Sequence, residues 1–561
     1  MSSPPVAHHR TLAPSTAVNS LLQADFECVN YLLIISTQAD TTVRMTLALE
    51  GLQYHRRAPA AEPEGPIDAD VVVYGATSGG VTAAVRAARS GLRVVLLAFD
   101  DRVGGMTASG LGETDVGDAR TIGGLARAFY AEVAAAYHAP DPHWKVEAHV
   151  AEEIFLRWLA DAGVVLRRRR HLLDVTKTGN RITELRTDDG SSYRAQVYVD
   201  ASYEGDLLAA AGVSYTVGRE SSATYGESIA GVQHSINHQF ERPVDPYVVP
   251  GQPSSGLLPG ISAEPYGAVG SGDRHVQAYN FRLHVTNGSD RIPFPRPEGY
   301  DASRYELLRR YLEAGIYELY GRTTRVHGRV FDMNNHGAFS SDHIGAGDEW
   351  PEAGYARREE IFQDHVRYQA GLLYYLSTSA DLPAEVRAAT QAFGLAPGEF
   401  RQTSHWPHQL YVREGRRMLA EHVVTEHEAT GRIVAPDPIA VASYVMDSHN
   451  ARRVLVDGNP RNEGNVQVPL ARPFGISFRS IVPRISECAN LLVAAAVSAS
   501  HVAFASVRME PVFMTVGEAA GCAASLAASA RIAVQDVEYD VLRRDLTGSG
   551  GIVGWPRGEA A

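Results

Sequence analysis

A glycine turn, two clusters of glycines with small hydroxyl residues, and scattered histidines and arginines are the residues of this chain suited to chemistry. The turn is Gly75-Ala-Thr-Ser-Gly-Gly80. A bound diphosphate needs a tight strand-to-helix turn, close backbone approach, and a helix N-terminus whose free N–H groups face its charge. Gly75 supplies the turn and Gly80 lets the helix pack on the strand. Thr77 stands where the usual motif has its middle glycine, with Ser78 and Gly79 completing the loop. An acid about 20 residues on should end the next strand and meet the ribose. Ala98 holds that place, with Asp100 just beyond, so either Asp100 reaches the ribose or the contact is lost. Arg102 beside it would suit a 2′-phosphate and keeps a phosphorylated nicotinamide cofactor in view.

The company of this loop favours flavin. Gly104, Gly105, Met106, Thr107, Ser109 and Gly110 would let a flat ring lie against backbone. Ala201, Ser202 and Gly205 follow a later strand. Glu510-Pro511 opens a last helix, proline being natural at a helix start. That N-terminus would face the flavin edge that becomes negative on reduction. Flavin hydride chemistry further needs a substrate C–H held over the ring and a base for the O–H or N–H proton. His501, just after the last sheet strand, is the first candidate base. Arg508 suits a reduced flavin or a substrate anion, or pairs with Glu510 or Asp115. Arg413, beside Tyr411, is a substrate-side candidate. His336 and His343 mark a polar loop, 334–343, that suggests a site rim. Their spacing fits no ligand pattern, and no metal is assigned. Tyr279, Asn280, His449 and Asn450 are further substrate-side candidates.

These residues need elements to position them. Val71–Tyr74 reads as a buried strand, residues 81–89 as an Ala-rich helix ended by Ser90-Gly91, and residues 93–97 as the next strand: one βαβ unit. A helix follows at 149–162. Residues 164–200 read as an antiparallel meander with turns at 178–180 and 188–190, and Arg167–Arg170 as a solvated strand. From 216 to 480 turn-rich stretches alternate with aromatic helices at 303–320 and 355–377. A strand at 490–497 and the Gly/Ala-rich helix after Glu510 close the pattern. Residues 1–66 end in linker-like composition and are read as a leader without assigned function.

The whole is 561 residues, 45% apolar and 21% charged, with net charge −13. That excludes a disordered or fibrous chain and argues against a nucleic-acid partner. Cys28, Cys488 and Cys522 make neither a disulfide framework nor a zinc signature. No apolar run approaches the ~18 residues of a membrane span, and no secretory leader is recognisable. A cytoplasmic protein acting on a small molecule is expected, with an oligomer compatible.

Seven stretches carry a family resemblance: 71–84 (VVVYGATSGGVTAA), 104–115 (GGMTASGLGETD), 123–130 (GGLARAFY), 199–212 (VDASYEGDLLAAAG), 279–286 (YNFRLHVT), 407–418 (PHQLYVREGRRM) and 500–521 (SHVAFASVRMEPVFMTVGEAAG). Over roughly 70–530 the chain resembles the FAD-dependent oxidoreductases often labelled xanthan-lyase-like, within the glutathione-reductase-type flavoproteins. The family has a glycine-threonine variant of the loop, so Thr77 conforms to it. Ala98 departs from the acid common in such flavoproteins. The resemblance implies non-covalent FAD and an α/β fold. A Rossmann-like FAD-binding domain (67–215 and 481–545) would be split around an inserted mixed α+β substrate domain (216–480), with a tail at 546–561. The expected reaction is hydride abstraction from a hydroxylated or amine-bearing small molecule. Alternatives are a flavin monooxygenase, a flavin-assisted lyase or isomerase, and a non-catalytic flavin- or carbohydrate-binding protein. Hydroxylase-type monooxygenases place Gly-Asp after the last sheet strand, where this chain reads Val497-Ser-Ala-Ser-His501.

Overall fold

The computed structural model describes residues 49, 51–56, 65–235, 237–316 and 323–555. Its organising element is a five-stranded parallel sheet in the order Leu491–Val493, Val197–Asp200, Val71–Tyr74, Val94–Leu97, Val165–Arg167. The three central strands are buried along their whole length. Both faces are covered, which is why they read as unbroken apolar runs rather than alternating ones. Helix Ser78–Arg89 crosses between the first two strands in sequence. Thr77 caps it, its hydroxyl accepting the Gly80 N–H at 3.1 Å.

The strand from the far end of the chain completes the split fold. So does helix Glu510–Ala530, which lies against helix Ser78–Arg89. A Cβ on Gly517 would stand 2.0 Å from the Gly79 carbonyl oxygen, so this crossing requires glycine. Glu510–Ala530 is long and apolar enough to span a membrane, but 89% of its apolar window is buried inside the protein. Its apolarity is that of a core helix.

Three expectations change. Val165–Arg167 joins the parallel sheet, leaving the meander to Leu172–Thr178, Arg181–Thr187 and Ser192–Arg194. The arginine run is therefore a corner, not a solvated strand. Arg169 pairs with Asp101 at 2.5 Å, and Arg170 lies 3.2 Å from Asp189 and 3.1 Å from the Tyr193 hydroxyl. The helix expected at 303–320 is the short Glu306–Glu313, stopped at Gly315 with φ +90°. Finally, part of the supposed leader is packed: Leu52 is 3% and Tyr54 8% exposed.

The middle region is mixed α+β. An antiparallel sheet runs Thr323–His327, Val330–Met333, Leu283–Thr286, Gly394–Leu395, flanked by the long helix Tyr355–Thr378. Among the described residues are also four two-stranded ribbons, including Met446–Ser448 with Val466–Val468.

Candidate active site

Glu510 ties the motif segments together. Its carboxylate accepts the Ser78 hydroxyl and the Thr107 hydroxyl, both at 2.6 Å, and the Tyr203 hydroxyl at 2.8 Å. Tyr203 in turn accepts the Met106 N–H at 2.9 Å. The glycine loop, the 104–110 segment and the 201–205 segment thus meet at the first turn of helix Glu510–Ala530, which a further helix, Tyr539–Gly548, follows. Burial raises the Glu510 pKa against the pull of its three hydroxyl partners. Pro511 follows within that turn.

Above this hub opens a cleft of about 540 Å³. Five of the cofactor-side candidates, Gly75, Thr77, Asp100, Gly105 and Ser202, line it. Gly75 has φ +100°, and a Cβ there would stand 2.6 Å from the Ser202 N. Thr77 donates to the Ala201 carbonyl at 2.8 Å, joining loop to strand end. Ser78, Gly79, Gly80 and Thr107 lie buried below the cleft, with Gly104, Met106, Ser109, Gly110 and Gly205 also buried around it. Asp100 reaches the cleft that Ala98 does not line. Its Oδ1 accepts the Arg102 N–H at 2.7 Å. Burial pushes the Asp100 pKa up to about 7, opposed by Arg102.

Four of the residues that sequence reasoning passed over bear on the cofactor here. Tyr54, Phe99 and Tyr203 line the cleft, as does His408. His408 Nε2 lies 2.9 Å from the Ser109 hydroxyl and 3.5 Å from Asp100. Burial, then Arg102, holds His408 well below its ordinary pKa, so the ring is neutral. Tyr203 and His408 sit inside the motif stretches quoted above, so position pointed to them although residue type did not. This donor set fits a dinucleotide: a helix N-terminus for diphosphate, an acid at a strand end for ribose hydroxyls, and aromatic rings beyond it. Arg102 is paired with Glu152 at 3.1 Å.

A second chamber, partly open to solvent, is lined by charged and polar groups. Arg413 and Arg508, both expected at the substrate, meet here on Tyr411. Arg508 Nη1 donates to the Tyr411 hydroxyl at 3.0 Å, and the Arg413 guanidinium lies 4.6 Å over the same ring. Arg508 also donates to the Asp447 carbonyl at 2.7 Å. Nε of each arginine is buried without a hydrogen-bond partner, while Arg413 Nη2 lies 3.1 Å from Asp342 Oδ1. Arg282 is held by a two-pronged bond to Asp332. Asp115, also in the wall, is raised by burial, mainly against Arg282.

His449 lines the chamber with its Nδ1 2.7 Å from Asp342 and its Nε2 3.8 Å from Asp447. Burial, then Arg413, lowers its pKa, so it is a neutral imidazole oriented by a carboxylate. Burial would raise Asp342, but Arg413 and His449 outweigh it and keep it ionised. An imidazole oriented by an acid is a general-base arrangement. Of the other substrate-side candidates, Tyr279 is in the core and Asn280 donates to the Ser341 hydroxyl at 3.1 Å.

The structure does not bring His501 to either cavity. Its Nδ1 lies 2.9 Å from Glu220, and its Nε2 accepts the Gly231 N–H at 3.3 Å. As the first residue of helix His501–Val507 it pins that helix start, with both ring nitrogens engaged. His343 is likewise committed, 2.8 Å from Asp364 and stacked on Tyr368 at 4.1 Å. His336 lines a separate, largely apolar recess with Leu308 and Leu372. The polar loop 334–343 nonetheless supplies the chamber with Asn334, Asn335 and, behind His449, Asp342.

Two short segments link the cavities. On one, His408 lines the cleft while Tyr411 and Arg413 line the chamber. On the other, Glu510 holds the cofactor segments while Arg508, two residues earlier, enters the chamber.

A family model described as FAD dependent oxidoreductase matches residues 70–546. A search among curated proteins finds no match. Among solved structures, a flavin-dependent brominase is 21% identical over 28% of this chain, with TM-score 0.22. The myxobacterial chondrochloren halogenase is 23% identical over 28%, with TM-score 0.22. Thioredoxin reductase of T. acidophilum is 24% identical over 24%, with TM-score 0.18. The matched part spans 42%, 41% and 35% of those chains, less than half of each.

Proposed function

From the premise that the chain belongs to the FAD-dependent oxidoreductase family, we propose that it oxidises a hydroxylated or amine-bearing small molecule held in the Arg413–Arg508–His449 chamber. On the motifs quoted above we place it with the xanthan-lyase-like members of the glutathione-reductase-type flavoproteins. The observation that carries the reading is the pair of linking segments, 408–413 and 508–510, which join the cofactor cleft to a chamber holding an acid-oriented neutral imidazole.

FAD is the cofactor, bound without a covalent link, and supplies a two-electron acceptor for hydride. The glycine turn and helix N-terminus at 75–80 would hold its diphosphate, and Asp100 its ribose. His449 Nε2 would take the proton of the substrate O–H or N–H. Asp342 fixes the imidazole and stabilises the charge it gains. Arg413 and Arg508 would hold the substrate oxygen; Nε of each has no hydrogen-bond partner within the protein. They favour it as it becomes negative.

The test is anaerobic mixing of the purified yellow protein with panels of sugars, sugar acids, other polyols and amines. Loss of the oxidised flavin band on mixing with one class supports the reading, and acid precipitation should leave the flavin in the supernatant. Net turnover of a substrate with the band unchanged and no oxygen uptake would sink it in favour of lyase or isomerase chemistry.

A further inference from the structure

Residues 51–56 lie along the rim of the cofactor cleft. Tyr54 packs 4.7 Å from Phe99 and 4.6 Å from Trp350, and its ring lines the cleft. Gln363 donates to the Leu52 carbonyl at 2.8 Å, and the His55 N–H donates to Glu359 at 2.9 Å. The His55 ring stacks on Tyr355 at 4.8 Å.

What that stacking presents is unusual. His55 Nε2 lies 3.1 Å from Asp188 Oδ2, and His171 Nδ1 lies 3.2 Å from the same oxygen. The two imidazoles meet edge to face at 4.3 Å, and all three ligand atoms fall within 4.8 Å of one another. A tetrahedral zinc-type ion with bonds of about 2.0–2.1 Å separates its ligand atoms by roughly 3.3 Å, close to both measured spacings. Two nitrogens and one carboxylate oxygen are donors suited to zinc, cobalt or nickel, not to calcium or magnesium. The ligand positions are braced: the Asp188 N–H donates to the His171 carbonyl at 2.9 Å, and the buried His171 ring packs edge to face on Phe99 at 4.4 Å. Such outer contacts fix ring orientation in metal sites. The His55 and Asp188 side chains are 25% and 12% exposed, which leaves a solvent side for a water ligand.

We propose that His55, His171 and Asp188 bind one divalent transition-metal ion of the zinc class, clasping residues 51–56 onto the rim of the cofactor cleft. This departs from the sequence expectation of no metal, because the third ligand comes from a segment read as a leader. A second His–carboxylate group, Glu147, His149 and Glu399, differs in a telling way. There the imidazole lies 2.6 Å from the carboxylate, a direct hydrogen bond with no room for an ion between the two atoms.

The experiment uses tag-free flavoprotein, stripped with chelator, dialysed and titrated with zinc ion by calorimetry. Cobalt ion gives a parallel readout in visible bands beyond the flavin absorption. The expected result is saturable uptake of one ion per chain, weakened at least about 10-fold in both Asp188→Asn and His55→Gln. His55→Gln lies on the peripheral segment, and an unchanged flavin spectrum shows that the fold stands. The proposal is overturned by absence of saturable uptake in the wild type. It is equally overturned by uptake that survives both substitutions, or that is lost only in His149→Ala. The readout is metal content, so it stands whatever the substrate proves to be.

Discussion

The cofactor cleft and the substrate chamber are built from different materials. Around the glycine turn the cleft is backbone, glycine and hydroxyl: Gly75, Thr77 and Ser202 at its wall, with Glu510 receiving three hydroxyl bonds. The chamber is charged side chains from distant segments: Asp115, Arg282, Arg413, Asp447, His449 and Arg508. A diphosphate is held by dipoles and close approach, which need a fixed backbone. A proton transfer needs a titratable group whose pKa is set by its neighbours. The first demand leaves a local sequence signature; the second leaves only an arrangement in space.

The comparison breaks first at His449. His449→Ala should lower the rate of anaerobic flavin reduction by about 10²–10⁴-fold, the usual contribution of a general base, while flavin content stays full. His501→Ala should cost stability, because Glu220 loses its imidazole partner, and move the reduction rate little. The wild-type pH profile sharpens the point. The His449 pKa is lowered by burial and Arg413, so the neutral base persists below pH 6.5 and the rate falls only on further acidification. Stopped-flow reduction traces of the two variants with opposite ranking would reverse the roles.

Much of the first region was legible in the sequence. The βαβ unit, the loop, the two glycine clusters and the return of the chain at Glu510 follow from local composition, because each needs small residues at fixed offsets. His501 misled for a physical reason. A histidine after a sheet strand is placed near a site by topology, but its two nitrogens find Glu220 and the Gly231 N–H, which lie 281 and 270 residues away. The same blindness hid Asp342 behind His449, 107 residues apart. Tyr54 was lost inside a segment whose composition resembles a linker.

Glu510 tests the claim that the cleft is one cooperative unit. Glu510→Ala strands three buried hydroxyls. At roughly 1–3 kcal/mol for a buried group left unpaired, and with incomplete additivity, the loss should be about 3 kcal/mol. Sub-stoichiometric flavin and a lower urea midpoint are the expected readouts. Full flavin content with unchanged stability would mean that the three motif segments are held by packing alone, and that the distinction between the two regions is weaker than the hydrogen bonds suggest.

Asp100, like several groups of the chamber, is an acid whose pKa burial raises, and it sets the finest test. Burial raises its folded pKa to about 7, whereas the unfolded value is about 3.9. Below pH 4 the carboxyl is protonated in both states and its contribution is fully present. As pH rises, the unfolded chain releases the proton first, so stability falls until the folded group ionises near pH 7. Between pH 5 and 8 the flavin-free protein should lose about 2–3 kcal/mol from this group, at 1.36 kcal/mol per pKa unit. Asp100→Asn should flatten that slope, because the amide is neutral throughout. Its binding of added FAD should weaken as well, since the amide replaces a charged acceptor at the ribose. Equal pH slopes for the two flavin-free proteins would place Asp100 in contact with water rather than in the cleft wall, and would leave the ribose without an acid.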